Sequence, residues 1–217
     1  LIAAPGLPGY EQEVARIFCR EMERLGARTE TDAIGNATAR MGEGGPRIMV
    51  TAHMDEIGLI VTGFMEDGGL RFTRMGGVDP RILPGSRVRV QTREGAKLGV
   101  IGAKPPHLLT AADRKKNPDM KDMYIDMGLS AESVRKLVRV GDLVTLTGEL
   151  TELAGGRLAG KTMDDRACVA CLLEAAERLQ KMSHICDIYF VATSQEEVGS
   201  KGASVAAHAI NPDLAVA

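Results

Sequence analysis

Three short polar clusters carry most of the chemistry this sequence offers: TAHMDEIG at Thr51–Gly58, KTMDDRA at Lys161–Ala167 and TSQEEVG at Thr193–Gly199. The first and third each follow an apolar run with strand character, RIMVTA and DIYFVAT. Each therefore delivers imidazole or carboxylate groups at or just past the last residue of a strand. Open α/β sheets build their sites at those carboxyl ends, so two strands ending this way bring His and carboxylates to one edge.

His53 and Asp55 stand two residues apart, which on a continuing strand places both on one face. An imidazole that ligates a metal usually has a carboxylate on its other nitrogen, and Asp55 is placed for that task. Glu196 and Glu197 would point opposite ways on a regular strand. A turn at the strand end lets one bind a cation while the other faces a substrate. A cation also offsets the repulsion within each acidic pair, Glu196–Glu197 and Asp164–Asp165; in the second pair one carboxylate bridges and the other braces. Lys161 and Arg166 flank that pair and are expected to neutralise its excess charge. Taken singly, each cluster has a plainer reading. H-x-D is commonly polar surface, E-E a solvated helix face, and D-D-R an N-cap with a salt bridge. Taken together, at two strand ends and a helix start, they point to a metal-dependent hydrolase.

The elements that must position these groups fall into three stretches. Val14, Ile17, Phe18, Met22 and Leu25 recur at helical spacing over Tyr10–Leu25, with Gly26 as a stop. Glu11 and Glu13 fall in the first turn, where they suit the helix dipole. From about Leu59 to Leu153 short β-like runs alternate with glycine and proline: GLIVTGF, LRFTR, RVRVQTR, KLGVIGA and DLVTLTG. That texture predicts a small, mostly antiparallel barrel or sandwich. One short helix is expected within it from N-cap Ser130 to Val138, and a long loop over Lys104–Asp122. Helical periodicity returns over Asp165–Met182. A buried strand (187–193), a glycine-rich turn, a helix near Ala203–Ala209 and a further strand in NPDLAVA follow. The predicted fold is an α/β sheet domain, residues 1–58 and 154–217, interrupted by a β-rich domain over 59–153.

Composition excludes several classes. The 217 residues are 44% hydrophobic and 26% charged with a formal net charge of −2. There is no basic stripe for nucleic acid and no apolar run long enough to span a membrane. With no signal-peptide pattern at its start, the chain is expected in the reducing cytoplasm. Cys168 and Cys171 form a C-x-x-C with no second pair at zinc-ribbon spacing. Lying in the helical stretch CVACLLEAAERL, they are expected to be small core residues. His107, His184 and His208 read as loop, helix-end or surface residues.

AHMDEIGL, KTMDDR and SQEEVGSKGA, with GGVDPRILPGSRV and the PPH…DRKK loop, resemble metallopeptidase family 42 over essentially the whole chain. Its members are cytoplasmic co-catalytic aminopeptidases, the glutamyl and deblocking enzymes among them. The resemblance implies an incomplete zinc-peptidase α/β domain carrying an inserted dimerisation domain, with dimers building a hollow dodecamer. It implies two divalent metal ions, zinc first, with cobalt or manganese also admitted. His53 would bind one metal, Asp164 would bridge both, and Glu197 would bind the second. Glu196 would be the general base, Asp55 would support His53, and the Asp164–Asp165 peptide bond would be cis. Peptides would be the substrates.

Family members need further ligands: an Asp on the next strand and a distant His. The Asp is expected within two residues after Ala217, so the chain, which begins at Leu1, reads as a fragment that is inactive or nearly so by itself. Glycoside hydrolysis by paired carboxylates is a second reading, although three Tyr, four Phe and no Trp leave little surface for stacking on sugars. A third is a non-catalytic assembly module built around the β insert.

Overall fold

The computed structural model describes residues 1–110 and 117–217. The DRKK part of the insert loop lies outside the described residues. In chain order the elements begin with α1 (Gln12–Arg24), β1 (Arg28–Thr31), β2 (Ala37–Met41) and β3 (Arg47–His53). Then come β4 (Gly58–Phe64), β5 (Leu70–Met75), β6 (Arg87–Thr92), β7 (Gly95–Gly102), β8 (Tyr124–Asp126), α2 (Ala131–Leu137) and β9 (Leu143–Leu146). The remainder are β10 (Thr151–Leu153), β11 (Arg157–Ala159), α3 (Met163–Leu179), β12 (Asp187–Thr193), α4 (Lys201–Ile210) and β13 (Leu214–Val216). The chain divides into two compact units, residues 1–56 with 149–217, and residues 57–148.

The first unit is a five-stranded sheet in the order β1-β2-β12-β3-β13. β12 and β3 run parallel and in register, as do β3 and β13, while the β1–β2 hairpin joins β12 antiparallel. Side chains alternate across the sheet with the period of a strand. Phe190, Ala192 and Ala52 pack under α1 and α3 with Phe18, Met22, Val169 and Leu172. Val191 and Met49 face the other way and pack with Ala206 and Ile210 of α4. Burying each of these large apolar side chains is worth about 1.5–3 kcal/mol. α1 stops where its pattern requires. Gly26 takes φ +83°, its N–H reaches Glu23 O, and the Ala27 N–H reaches Met22 O. Together they form a Schellman cap.

The second unit is a closed barrel, β4-β5-β8-β7-β6-β9, with every neighbouring pair antiparallel. Its alternating inward residues, among them Leu59, Val61, Val88, Val90 and Val144, form its own core. α2 begins at N-cap Ser130, whose side chain accepts the Ser133 N–H. Of the two options for this stretch, barrel or sandwich, the closed one holds.

One expectation fails here. Cys168 and Cys171 are exposed, not core. The buried face of α3 is Arg166, Val169, Leu172 and Ala176. That register turns positions 168 and 171 away from the sheet. No helix among the described residues is long and apolar enough to cross a membrane.

Candidate metal centre

The parallel pairing of β3 and β12 sets Thr193 directly beside His53, so the two strands end together. The Met54 N–H donates to Thr193 O at 2.9 Å and carries the ladder one residue further. The chain then leaves β12 through Gln195, whose φ of +56° lies in the left-handed region. This bend brings both glutamates of TSQEEVG back toward His53. Ligand atoms of His53, Glu196 and Glu197 all lie within 4.8 Å of one another. Asp164 joins at one corner, its Oδ1 2.8 Å from His53 Nε2.

Asp164 and Asp165 enter α3 in non-helical geometry and share a cis peptide bond. Their carboxylates take different partners. Asp164 is 86% exposed at its side chain and faces the imidazole. Asp165 braces the backbone, its Oδ2 accepting the His53 N–H at 3.2 Å.

Asp55 is fully buried. Its backbone carbonyl is 3.2 Å from His53 Nδ1, and its carboxylate Oδ1 is 3.5 Å from the same nitrogen. A carbonyl can only accept, so Nδ1 carries the hydrogen and Nε2 faces the acidic cluster. The Asp55 carboxylate has a second task that sequence reasoning did not reach. Oδ1 accepts the Glu196 N–H and Oδ2 the Glu197 N–H, each at 3.0 Å.

Burial lowers the His53 pKa, but hydrogen bonds to Asp55 and Asp164 outweigh it and push the imidazole up to about 9. Burial, with Asp55, Asp164 and Glu196 nearby, raises the Glu197 carboxyl, while His53 opposes that rise. Carboxylates close to His53 favour its charged form, and burial is the main cause that disfavours the charged form of Glu197. One imidazole nitrogen with several carboxylate oxygens is a donor set that suits zinc and equally admits cobalt or manganese.

Lys161 and Arg166 both close on buried Glu56. Lys161 Nζ is 2.7 Å from Glu56 Oε2, and Arg166 Nη2 is 3.4 Å from Oε1. Arg166 is 1% exposed and also donates to the carbonyls of Leu1, Ala4, Gly6 and Met54. It thus ties the N-terminal segment to the end of β3. Asn36, fully buried, was also missed: it accepts the Ser194 N–H at 2.9 Å and donates to Asp32 and to Gly202 O. Its signal is faint, a lone Asn in a short loop. His107, His184 and His208 are exposed.

The family model for M42 glutamyl aminopeptidases matches residues 35–217. The chain is 36% identical to the lysyl aminopeptidase of Pyrococcus furiosus over 221 residues, covering 100% of this chain and 63% of that protein. It superposes on the TET aminopeptidase from the marine sediment archaeon Thaumarchaeota archaeon SCGC AB-539-E09 with a TM-score of 0.93 and 38% identity, covering 99% and 62% of the two chains. The Pyrococcus horikoshii TET1 peptidase, which can assemble into a tetrahedron or a large octahedral shell, gives 0.89 and 40%, covering 99% and 64%. The chain therefore spans less than two thirds of the length of these relatives.

Proposed function

The chain belongs to the M42 glutamyl aminopeptidase family, and on that footing we propose that it carries ligands and the general base of a metal-dependent aminopeptidase. One observation carries this reading: imidazole and carboxylate groups from positions 53, 164, 196 and 197 converge at the joint end of two parallel strands. His53, Asp164 and Glu197 would hold two divalent cations, with Asp164 shared between them. Bound cations of this kind lower the pKa of a water and polarise a carbonyl. Glu196 takes the proton of the attacking water and passes it to the leaving amine. Asp55 keeps the His53 tautomer and fixes the glutamate backbone. The products are a free N-terminal residue and a shortened peptide.

In this reading the barrel unit mediates dimerisation and the dimers build a dodecameric shell, in line with the assembly of the Pyrococcus horikoshii relative. The protein works in the cytoplasm on peptides, with neither nucleic acid nor membrane as partner.

The test is hydrolysis of aminoacyl chromogenic substrates by the intact protein, run beside a soluble cellulose derivative. Activity on the first that is lost to a chelator and restored by zinc, cobalt or manganese is the expected result. Chelator-resistant cleavage, or cleavage of the polysaccharide alone, contradicts the reading. Assembly by size with neither activity would make the chain a structural module.

A further inference from the structure

Four consecutive backbone amides form the turn that follows β12, and side chains alone receive all four. The Ser194 N–H goes to Asn36 Oδ1 at 2.9 Å, and the Glu196 and Glu197 N–H groups go to Asp55. The Gln195 N–H goes to Glu11 Oε1 at 3.0 Å, across 184 residues of chain. We propose that Glu11 is a positioning residue for the metal centre: it holds the left-handed turn at Gln195 and thereby aims Glu196 and Glu197 at His53.

Three observations support this role. First, Glu11 is 2% exposed, and a carboxylate is seldom taken so far from water unless polar partners receive it. Second, it sits at the N-cap of α1 yet makes no side-chain capping bond to that helix. Its Oε1 turns instead to the Gly9 N–H at 2.8 Å and the Gln195 N–H. Third, Gln195 is a non-glycine residue at φ +56°, a conformation that persists only where the surroundings hold it. Asn36 and Asp55 fix the residues on either side of Gln195, and Glu11 is the partner of that residue's own amide. Arg166, buried beside Glu56, supplies positive charge to Glu11 and Asp55 through space.

The proposal rests on the metal-centre reading, so its test has a readout that does not. Both bonds fall on one oxygen. Glu11→Gln can therefore keep them through its amide oxygen, whereas Glu11→Asp keeps the charge but is one methylene too short. Amide hydrogen exchange and Co²⁺ titration followed by visible absorption are measured on the intact protein for both variants. In Glu11→Asp, exchange over residues 194–199 is expected to quicken at least tenfold and Co²⁺ affinity to fall at least tenfold. Exchange within β2 and β12 should stay unchanged, which shows that the fold is kept. Glu11→Gln is expected to remain within threefold of wild type in both measurements. Wild-type behaviour of Glu11→Asp overturns the proposal. So does equal damage in Glu11→Gln, which would assign Glu11 a role through its charge. Should the wild type take up no Co²⁺, the metal-centre reading fails by itself, and the exchange comparison still decides what Glu11 holds.

Discussion

The carboxylate of Asp55 accepts the backbone N–H of Glu197 through Oδ2 at 3.0 Å while Oδ1 receives that of Glu196 at the same distance. A residue at the end of β3 thus sets the backbone that follows β12, and the two halves of the candidate centre are locked by one buried side chain. Asp55→Asn keeps the shape but offers one acceptor where two are needed, and its amide group opposes the second N–H. Leaving a buried donor unpaired costs about 1–3 kcal/mol. Chemical denaturation should show a loss of that size, and metal affinity should fall with it.

Glu196 and Glu197 are expected to separate by function. Glu197→Gln should lower the metal content of purified protein. Glu196→Gln should leave metal content near that of wild type and lower kcat by roughly 10²–10⁴-fold, the usual worth of a general base. Elemental analysis beside steady-state kinetics distinguishes them, and equal metal loss in both variants would contradict the division of roles.

His53 links metal uptake to pH. Burial lowers its pKa, and the hydrogen bonds to Asp55 and Asp164 more than reverse this, so the metal-free imidazole titrates at about 9. At neutral pH a cation must displace its proton. Apparent metal affinity should therefore rise about tenfold per pH unit up to about 9 and then flatten. Calorimetry in buffers of different ionisation heat should detect the released proton. The stability of the metal-free protein follows the opposite sense. A folded-state pKa raised above the unfolded value of about 6.5 gives stability that is complete below that value and lost as pH climbs toward 9. His53→Ala should abolish both slopes.

Gly202 opens α4 against the turn. A Cβ there would strike Asn36 Oδ1 and the Ser194 backbone, and Asn36 is what holds the Ser194 N–H. Gly202→Ala should cost about 1–3 kcal/mol as an overpacked core site does. Amide exchange should quicken at Ser194 and spread to Gln195. A stability change confined to the helix would separate α4 from the centre.

Much of the scaffold is legible in the sequence because it repeats. DIYFVAT coincides with β12, and the runs of the insert coincide with the longer barrel strands. The β1–β2 hairpin is not legible, since RTET and ATARM lack the β-branched and aromatic pattern of a buried strand. Ala37 and Ala39 are nonetheless fully buried because small residues suit the close approach of α1. β8 is three residues long, too short to show a period. His53, Asp55, Asp164, Glu196 and Glu197 stand out as charges placed where apolar strands and a helix meet the sheet edge. Glu11 and Asn36 do not, because a hydrogen bond to a backbone amide across 184 or 158 residues leaves no spacing to read. Glu11 in particular looks like an ordinary helix-start carboxylate until its direction is seen.

The most direct test is anomalous diffraction at the zinc edge from crystals of the intact protein grown with zinc. Two peaks are expected, one about 2.0–2.2 Å from His53 Nε2 and an Asp164 oxygen, the other sharing Asp164 and reaching a Glu197 oxygen at similar distance. Zinc bound elsewhere, with none touching His53, Asp164 or Glu197, would contradict the metal centre and the aminopeptidase built on it.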